Sequence, residues 1–114
     1  MIRLILLGTF ELHAAEHTAV ALPTDKVRAL CTYLALEAPH PHRREKLAAL
    51  LWPDILHESA LTNLRQTLYR LRLALEQGQT SATDALLTIN RQTVQLHQEQ
   101  WSVDAVSFVR LLDD

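Results

Sequence analysis

A chain of 114 residues that is 48% apolar and 21% charged fits one globular domain with a modest core of its own and argues against disorder. The net charge of −2, from 11 basic and 13 acidic residues, weighs mildly against a nucleic-acid partner, and a single cysteine excludes an internal disulfide. The opening MIRLILLG is too short an apolar run for a signal peptide or a membrane span, so no membrane association and a cytoplasmic location are expected.

Residues 3–7 and 9–13, RLILL and TFELH, read as two short strands around Gly8, and Ala19 to Leu22 as a third. Together they predict a small antiparallel sheet ahead of any helix. Thr24, after Pro23, suits a helix N-cap, and Val27, Leu30, Cys31 and Leu34 continue as an apolar stripe that ends before Pro39. On that stripe Cys31 is expected to be a small core filler in a reducing compartment rather than a catalytic thiol. A second helix follows the approach set by Pro41, with Leu47, Leu50, Leu51 and Trp52 facing inward until Pro53 stops it. Trp52 is expected to plug the core beneath the sheet.

The third helix, Ser59 to Glu76, carries two messages. Leu61, Leu64, Leu68, Leu71 and Leu75 recur at steps of three and four, which at about 100° per residue forms a single apolar stripe. The opposite surface gathers Thr62, Asn63, Gln66, Tyr69 and Arg70, with Arg65 and Arg72 flanking the stripe and Leu73 the one apolar intruder. No acidic residue interrupts that surface until Glu76. Amides can bond adenine edges bidentately, arginine can do the same to guanine, and flanking arginines suit phosphates. The same residues also form helices well and stay soluble, so a plain solvated face is the alternative. Charge distribution favours the first reading. From Arg43 to Arg72 there are six basic residues (Arg43, Arg44, Lys46, Arg65, Arg70, Arg72) against three acidic ones (Glu45, Asp54, Glu58), so the acidic excess lies elsewhere.

A polar linker, Gly78 to Thr83, leads into LLTINRQTVQL. There Leu87 and Ile89 alternate with Thr88, and Val94 and Leu96 with Gln95, across the turn residues Asn90 to Thr93, which predicts a β-hairpin. Sheet, three helices and hairpin make an α+β layout, a winged helix-turn-helix with an N-terminal antiparallel sheet and the hairpin as C-terminal wing. Arg91 at the tip suits a phosphate or a narrow minor groove, which attracts arginine.

The chain resembles the SARP-type transcriptional regulators, in which an OmpR-like winged-helix domain precedes a bacterial transcriptional activator domain. The resemblance rests on LLGTFEL, DKVRALCTYLAL, RREKLAALLWPD, NLRQTLYRLRLAL, a hairpin and WSVDAVSFVRLL, in that order over nearly the whole chain. It implies sequence-specific binding of double-stranded DNA in transcriptional activation, with helix 59–76 in the major groove and wing 87–97 on the adjacent minor groove or phosphates. Carried over residue by residue, the DNA-binding positions are Thr62, Asn63, Arg65, Gln66, Tyr69, Arg70 and Arg72, with Arg91 and Gln92 on the wing. The loop Pro53 to His57, with Asp54, Ile55, Leu56 and His57, corresponds to the segment that faces RNA polymerase in OmpR-like proteins. Dimers on tandem half-sites are implied as well. His42 stands where the family often has serine, which weakens the cap of the second helix. The expected division is a DNA-binding domain over residues 1–98 and, over 99–114, the start of a following helical activator domain whose opening helix is VDAVSFVRLLDD, as in a piece of a longer regulator.

Arg43, Arg44 and Lys46 open the second helix, where Arg43 and Arg44 suit a phosphate as well as they suit a solvated first turn. His40 and His42 are expected to be solvated loop histidines, because a structural zinc site needs cysteines or tightly spaced ligands. Trp101 is expected to pack where the last helix joins the body. No nucleophile elbow, glycine-rich phosphate loop or paired carboxylates occur, so neither enzymatic activity, a cofactor nor a metal is expected. The alternative function is a winged-helix protein-interaction module in a larger signalling regulator without DNA binding, for which the acidic total is the best support.

Overall fold

Helices form where apolar residues recur at steps of three and four, and short strands fill the stretches before, between and after them. The computed structural model describes residues 2–5, 11–13, 19–78 and 86–103. In chain order these are β1 (Ile2–Ile5), β2 (Glu11–His13), α1 (Asp25–Leu36), β3 (His42–Arg43), α2 (Arg44–Leu51), α3 (His57–Gly78), β4 (Leu87–Ile89), β5 (Thr93–Leu96), a single 3-10 turn (Gln98–Gln100) and β6 (Trp101–Val103). They make an α+β domain of three helices and two three-stranded sheets. Leu6, Leu7, Thr9 and Phe10 of the expected strands, linker residues 79–83, and the helix expected within 104–114 lie outside the described residues.

The first sheet has the order β2-β1-β6. Leu4 faces Leu12 across the antiparallel pair and both are buried, while Arg3 and Glu11 are exposed, the alternation a half-buried strand requires. This sheet departs from the expectation in two ways. Ala19–Leu22 is not a strand: Ala19 makes one isolated bridge to His13, and the Val20 N–H bonds the Leu12 carbonyl at 2.8 Å. The third strand is β6, which pairs with β1 in parallel, so the sheet is mixed rather than antiparallel. Strand propensity accounts for the exchange, since two of the four residues in 19–22 are alanine, whereas Trp101 and Val103 bury alternate aromatic and β-branched side chains. Residues 101–103, assigned to the segment that follows the DNA-binding domain, are thus built into the same sheet as the first strand. Trp101 is buried, and its indole N–H reaches the Leu86 carbonyl at 3.0 Å.

The second sheet, β3-β5-β4, contains the expected hairpin in the register Leu87↔Leu96, Thr88↔Gln95 and Ile89↔Val94. It gains a two-residue edge, with His42 opposite Val94 and Arg43 opposite Thr93.

The helices build the core. Thr24 caps α1 as its sequence predicts, its hydroxyl accepting the Val27 N–H at 3.2 Å. Cys31 is fully buried, and burial pushes its thiol pKa up to about 12, which keeps it protonated and inert. On α2, Leu47, Ala48 and Leu51 point inward, but Leu50 is exposed because an eight-residue helix packed on one side has room for one stripe only. Trp52 is half-buried at the core's margin rather than a plug beneath the sheet. The Lys26 ammonium lies 5.5 Å from its ring centroid and donates to the Leu51 carbonyl, capping the end of α2.

On α3, Leu64, Leu68, Leu71 and Leu75 are buried, and Ala60, Thr67 and Ala74 widen the stripe while Leu61 is half-buried. The face packs against α2 and α1. Replacing the fully buried Leu71 by alanine should destabilise the protein by about 2 to 5 kcal/mol, whereas Leu73→Ala, on the opposite face, should cost less than about 0.5 kcal/mol, as read by urea denaturation.

Candidate nucleic-acid interface

With the leucine face committed to the core, helical geometry dictates what α3 presents outward. At about 100° per residue, Thr62, Gln66, Tyr69 and Leu73 fall along the centre of the outer surface, Arg65 and Arg72 on one shoulder, Asn63 and Arg70 on the other. Thr62, Arg65, Gln66, Tyr69, Arg70 and Arg72 are exposed, Tyr69 at 66%, and Asn63 is half-buried.

These side chains differ in how free they are. The Thr62 hydroxyl donates to the Glu58 carbonyl at 3.1 Å, a turn back on its own helix. Arg72 pairs with Glu76 at 3.4 Å across one helical turn. Arg65, Gln66 and Arg70 make no side-chain hydrogen bond or ion pair among the described residues, so each can turn to an outside partner without breaking an internal bond.

The hairpin offers a second projection. Its turn is an Asn90-capped loop in which the Asn90 side-chain oxygen accepts the backbone N–H of Gln92 at 2.9 Å, that of Thr93 at 2.7 Å and the Thr93 hydroxyl at 3.2 Å. The Asn90 N–H closes the loop on the Thr93 carbonyl at 3.0 Å. Arg91 and Gln92 stand exposed at the tip.

Of the two arginines that open α2, Arg43 is exposed and 3.8 Å from Glu45. Arg44 is half-buried and faces the hairpin, its guanidinium Nε 2.8 Å from the Asn90 carbonyl. The N-cap of α2 is Arg43 rather than His42, and it makes no side-chain cap hydrogen bond. The Gln92 carbonyl accepts the Arg44 N–H at 2.9 Å and satisfies one of the helix's orphan donors instead.

The loop before α3 ends one residue early, because His57 is already helical. Asp54, Ile55, Leu56 and His57 are exposed, Leu56 at 80%, and the Leu56 carbonyl accepts the first helical bond from Ala60 at 2.9 Å.

His42 is a correction to the expectation of a solvated loop histidine. It is only 5% exposed, its ring is tilted against Tyr33 at a centroid distance of 5.1 Å, and its Nε2 is buried without a partner among the described residues. The cause is its position in β3, which turns it under the hairpin opposite Val94. Burial first, and then the Lys46 ammonium, hold its imidazole below the ordinary pKa; Glu37 opposes them and His40 adds to the lowering.

No three of the described histidine, cysteine, aspartate and glutamate side chains come together as a metal site. No described helix is long and apolar enough to cross a membrane. Compared with family models, with curated proteins and with solved structures, the chain finds no match in any of the three.

The buried imidazole makes stability depend on pH with a definite sign. The unfolded chain protonates His42 near the ordinary value of about 6.5 and the folded protein only at lower pH, so this contribution is complete above about pH 6.5 and lost as pH falls toward the folded value. The urea midpoint should drop between about pH 7 and 5, and His42→Phe, which keeps a ring against Tyr33, should flatten that drop. An identical pH profile in the variant would assign the acid sensitivity to other groups.

Proposed function

We propose that this chain is a DNA-binding module of a bacterial transcriptional activator of the SARP type that it resembles. In this reading the domain is a winged helix-turn-helix, α3 is the recognition helix in the major groove, and the β4–β5 hairpin is the wing on the adjacent minor groove or phosphates. One observation carries it: from Ser59 to Leu75 the outward face of α3 has no acidic residue and exposes Gln66, Arg65 and Arg70 without side-chain partners among the described residues.

The chemistry follows from the side chains. Gln66 and Asn63 can bond an adenine edge through two hydrogen bonds, and Arg70 can do so to guanine. Arg65 and Arg72 on the far shoulder suit the phosphate backbone, as do Arg43 and, on the hairpin, Arg91 and Gln92. Tyr69 can cover a sugar. Neither a cofactor nor a metal is part of this function, which is binding rather than catalysis. The exposed residues Asp54, Ile55, Leu56 and His57 would face RNA polymerase. A single module of this size covers little DNA, so two copies on tandem half-sites about 34 Å apart complete the proposal.

A second reading has its own support. The net charge is −2, and Leu50, Ile55 and Leu56 are exposed apolar residues around the end of α2, which suits a protein-interaction module without DNA binding. A salt titration separates the two, because a protein that neutralises several phosphates loses affinity with a log–log slope near roughly −0.9 per phosphate.

Selection of duplexes from a random pool by the purified chain is the direct test. On the enriched site Arg70→Ala should cost about 1 to 3 kcal/mol and relax sequence preference. Arg72→Ala should weaken binding to every duplex alike, and by less, since Glu76 already shares its charge. Enrichment of no sequence, or an Arg70→Ala variant with unchanged affinity and preference, would overturn the assignment.

A further inference from the structure

Arg44 holds the hairpin turn at two points. Its Nε–H reaches the Asn90 carbonyl at 2.8 Å and its own backbone N–H reaches the Gln92 carbonyl at 2.9 Å, so the carbonyls on both sides of Arg91 are fixed by one residue 46 positions earlier in the chain. The turn needs such support. A tight two-residue hairpin loop ordinarily relies on Asn-Gly or a similar pair that accepts positive φ, and here its centre is Arg91-Gln92 with no glycine. Asn90 braces the loop from within, and Arg44 braces it from α2. Because α2 packs along α3, the same helix that seats the candidate recognition face also seats the hairpin tip.

We infer that Arg44 is a positioning residue for DNA recognition rather than a phosphate contact: by clamping the Asn90 and Gln92 carbonyls to the start of α2 it sets where Arg91 and Gln92 meet the duplex. The inference rests on the DNA-binding reading above. Lysine cannot replace it, because an ammonium on a flexible stem lacks the directed Nε–H donor.

The test is a double-mutant cycle on the duplex enriched by the wild-type protein, with melting temperature and backbone amide exchange of Gln92 and Thr93 measured alongside. In the wild type, Arg91→Ala should weaken binding about tenfold; in an Arg44→Met background the same change should weaken it by less than about twofold, because the loosened turn no longer delivers Arg91. Arg44→Lys should behave like Arg44→Met, and in both the Gln92 and Thr93 amides should exchange faster while the melting temperature of the domain stays near that of the wild type.

A phosphate contact would give the opposite pattern: Arg44→Lys close to wild type, a salt slope reduced by about 0.9 in Arg44→Met, and the same fold loss from Arg91→Ala in either background. That pattern, or unchanged amide exchange in Arg44→Met, overturns the inference. If the wild type enriches no duplex, the DNA-binding reading fails and the role on DNA fails with it. Faster exchange in that case leaves Arg44 as the brace of the turn alone.

Discussion

The seating of Leu64, Leu68, Leu71 and Leu75 against α1 and α2 is the constraint on which the outer surface depends. Burying each leucine contributes about 1.5 to 3 kcal/mol, and the stripe cannot rotate without exposing several at once. A helix so fixed in azimuth has no choice about what it shows to solvent. Gln66, Tyr69 and Arg70 face outward because the leucines two positions away, on the opposite side of the helix, face inward. The widening of the stripe by Ala60, Thr67 and Ala74 serves the same end, since small residues let α3 lie close to its neighbours, and the Thr67 hydroxyl is satisfied by the Asn63 carbonyl at 2.7 Å.

The short α2 ties the two projecting elements together. Along its length it packs on α3, at its start Arg44 donates two hydrogen bonds to the hairpin turn, and at its end Lys26 from α1 donates to the Leu51 carbonyl. With eight residues it would be marginal in isolation, and most of its stability comes from these tertiary partners. Its N-cap, Arg43, supplies no side-chain cap, and its first backbone N–H, at Arg44, holds a carbonyl of a distant loop. The buried His42 lies under the same junction, packed on Tyr33 and flanked by Lys46, so the hairpin near its turn also covers one of the two buried imidazole nitrogens without a partner among the described residues, the other being Nδ1 of His13.

Local patterns were legible in the chain before any coordinates. Thr24 announced the start of α1, the leucine repeat marked the buried side of α3, and alternation around Asn90 located the hairpin, because each depends on residues within a few positions of one another. What escaped was set by partners far away. Trp101–Val103 is a strand through its pairing with the distant β1, whereas Ala19–Leu22, beside β2 at the other edge of the sheet, keeps only an isolated bridge. His42 looked solvated because its two-residue strand is too short to leave a period, and Leu50 looked inward because apolar identity alone does not give azimuth. In the candidate interface, the exposure of Gln66 and Arg70 could be read from periodicity, whereas the bonds of Arg44 to the turn and of Thr62 to Glu58 could not, since side-chain choice between solvent and backbone leaves no spacing signature.

The parallel pairing of β6 with β1 has a mechanical consequence. Ile2 lies beside Trp101 and Leu4 beside Val103, and the two strands run the same way. Tension applied at the start of one and the end of the other would load their hydrogen bonds side by side, in shear, instead of peeling them one at a time like a zipper. The sheet at this edge is thus arranged to resist axial pulling as a unit, with the Trp101 indole anchored to Leu86 as a further point of grip.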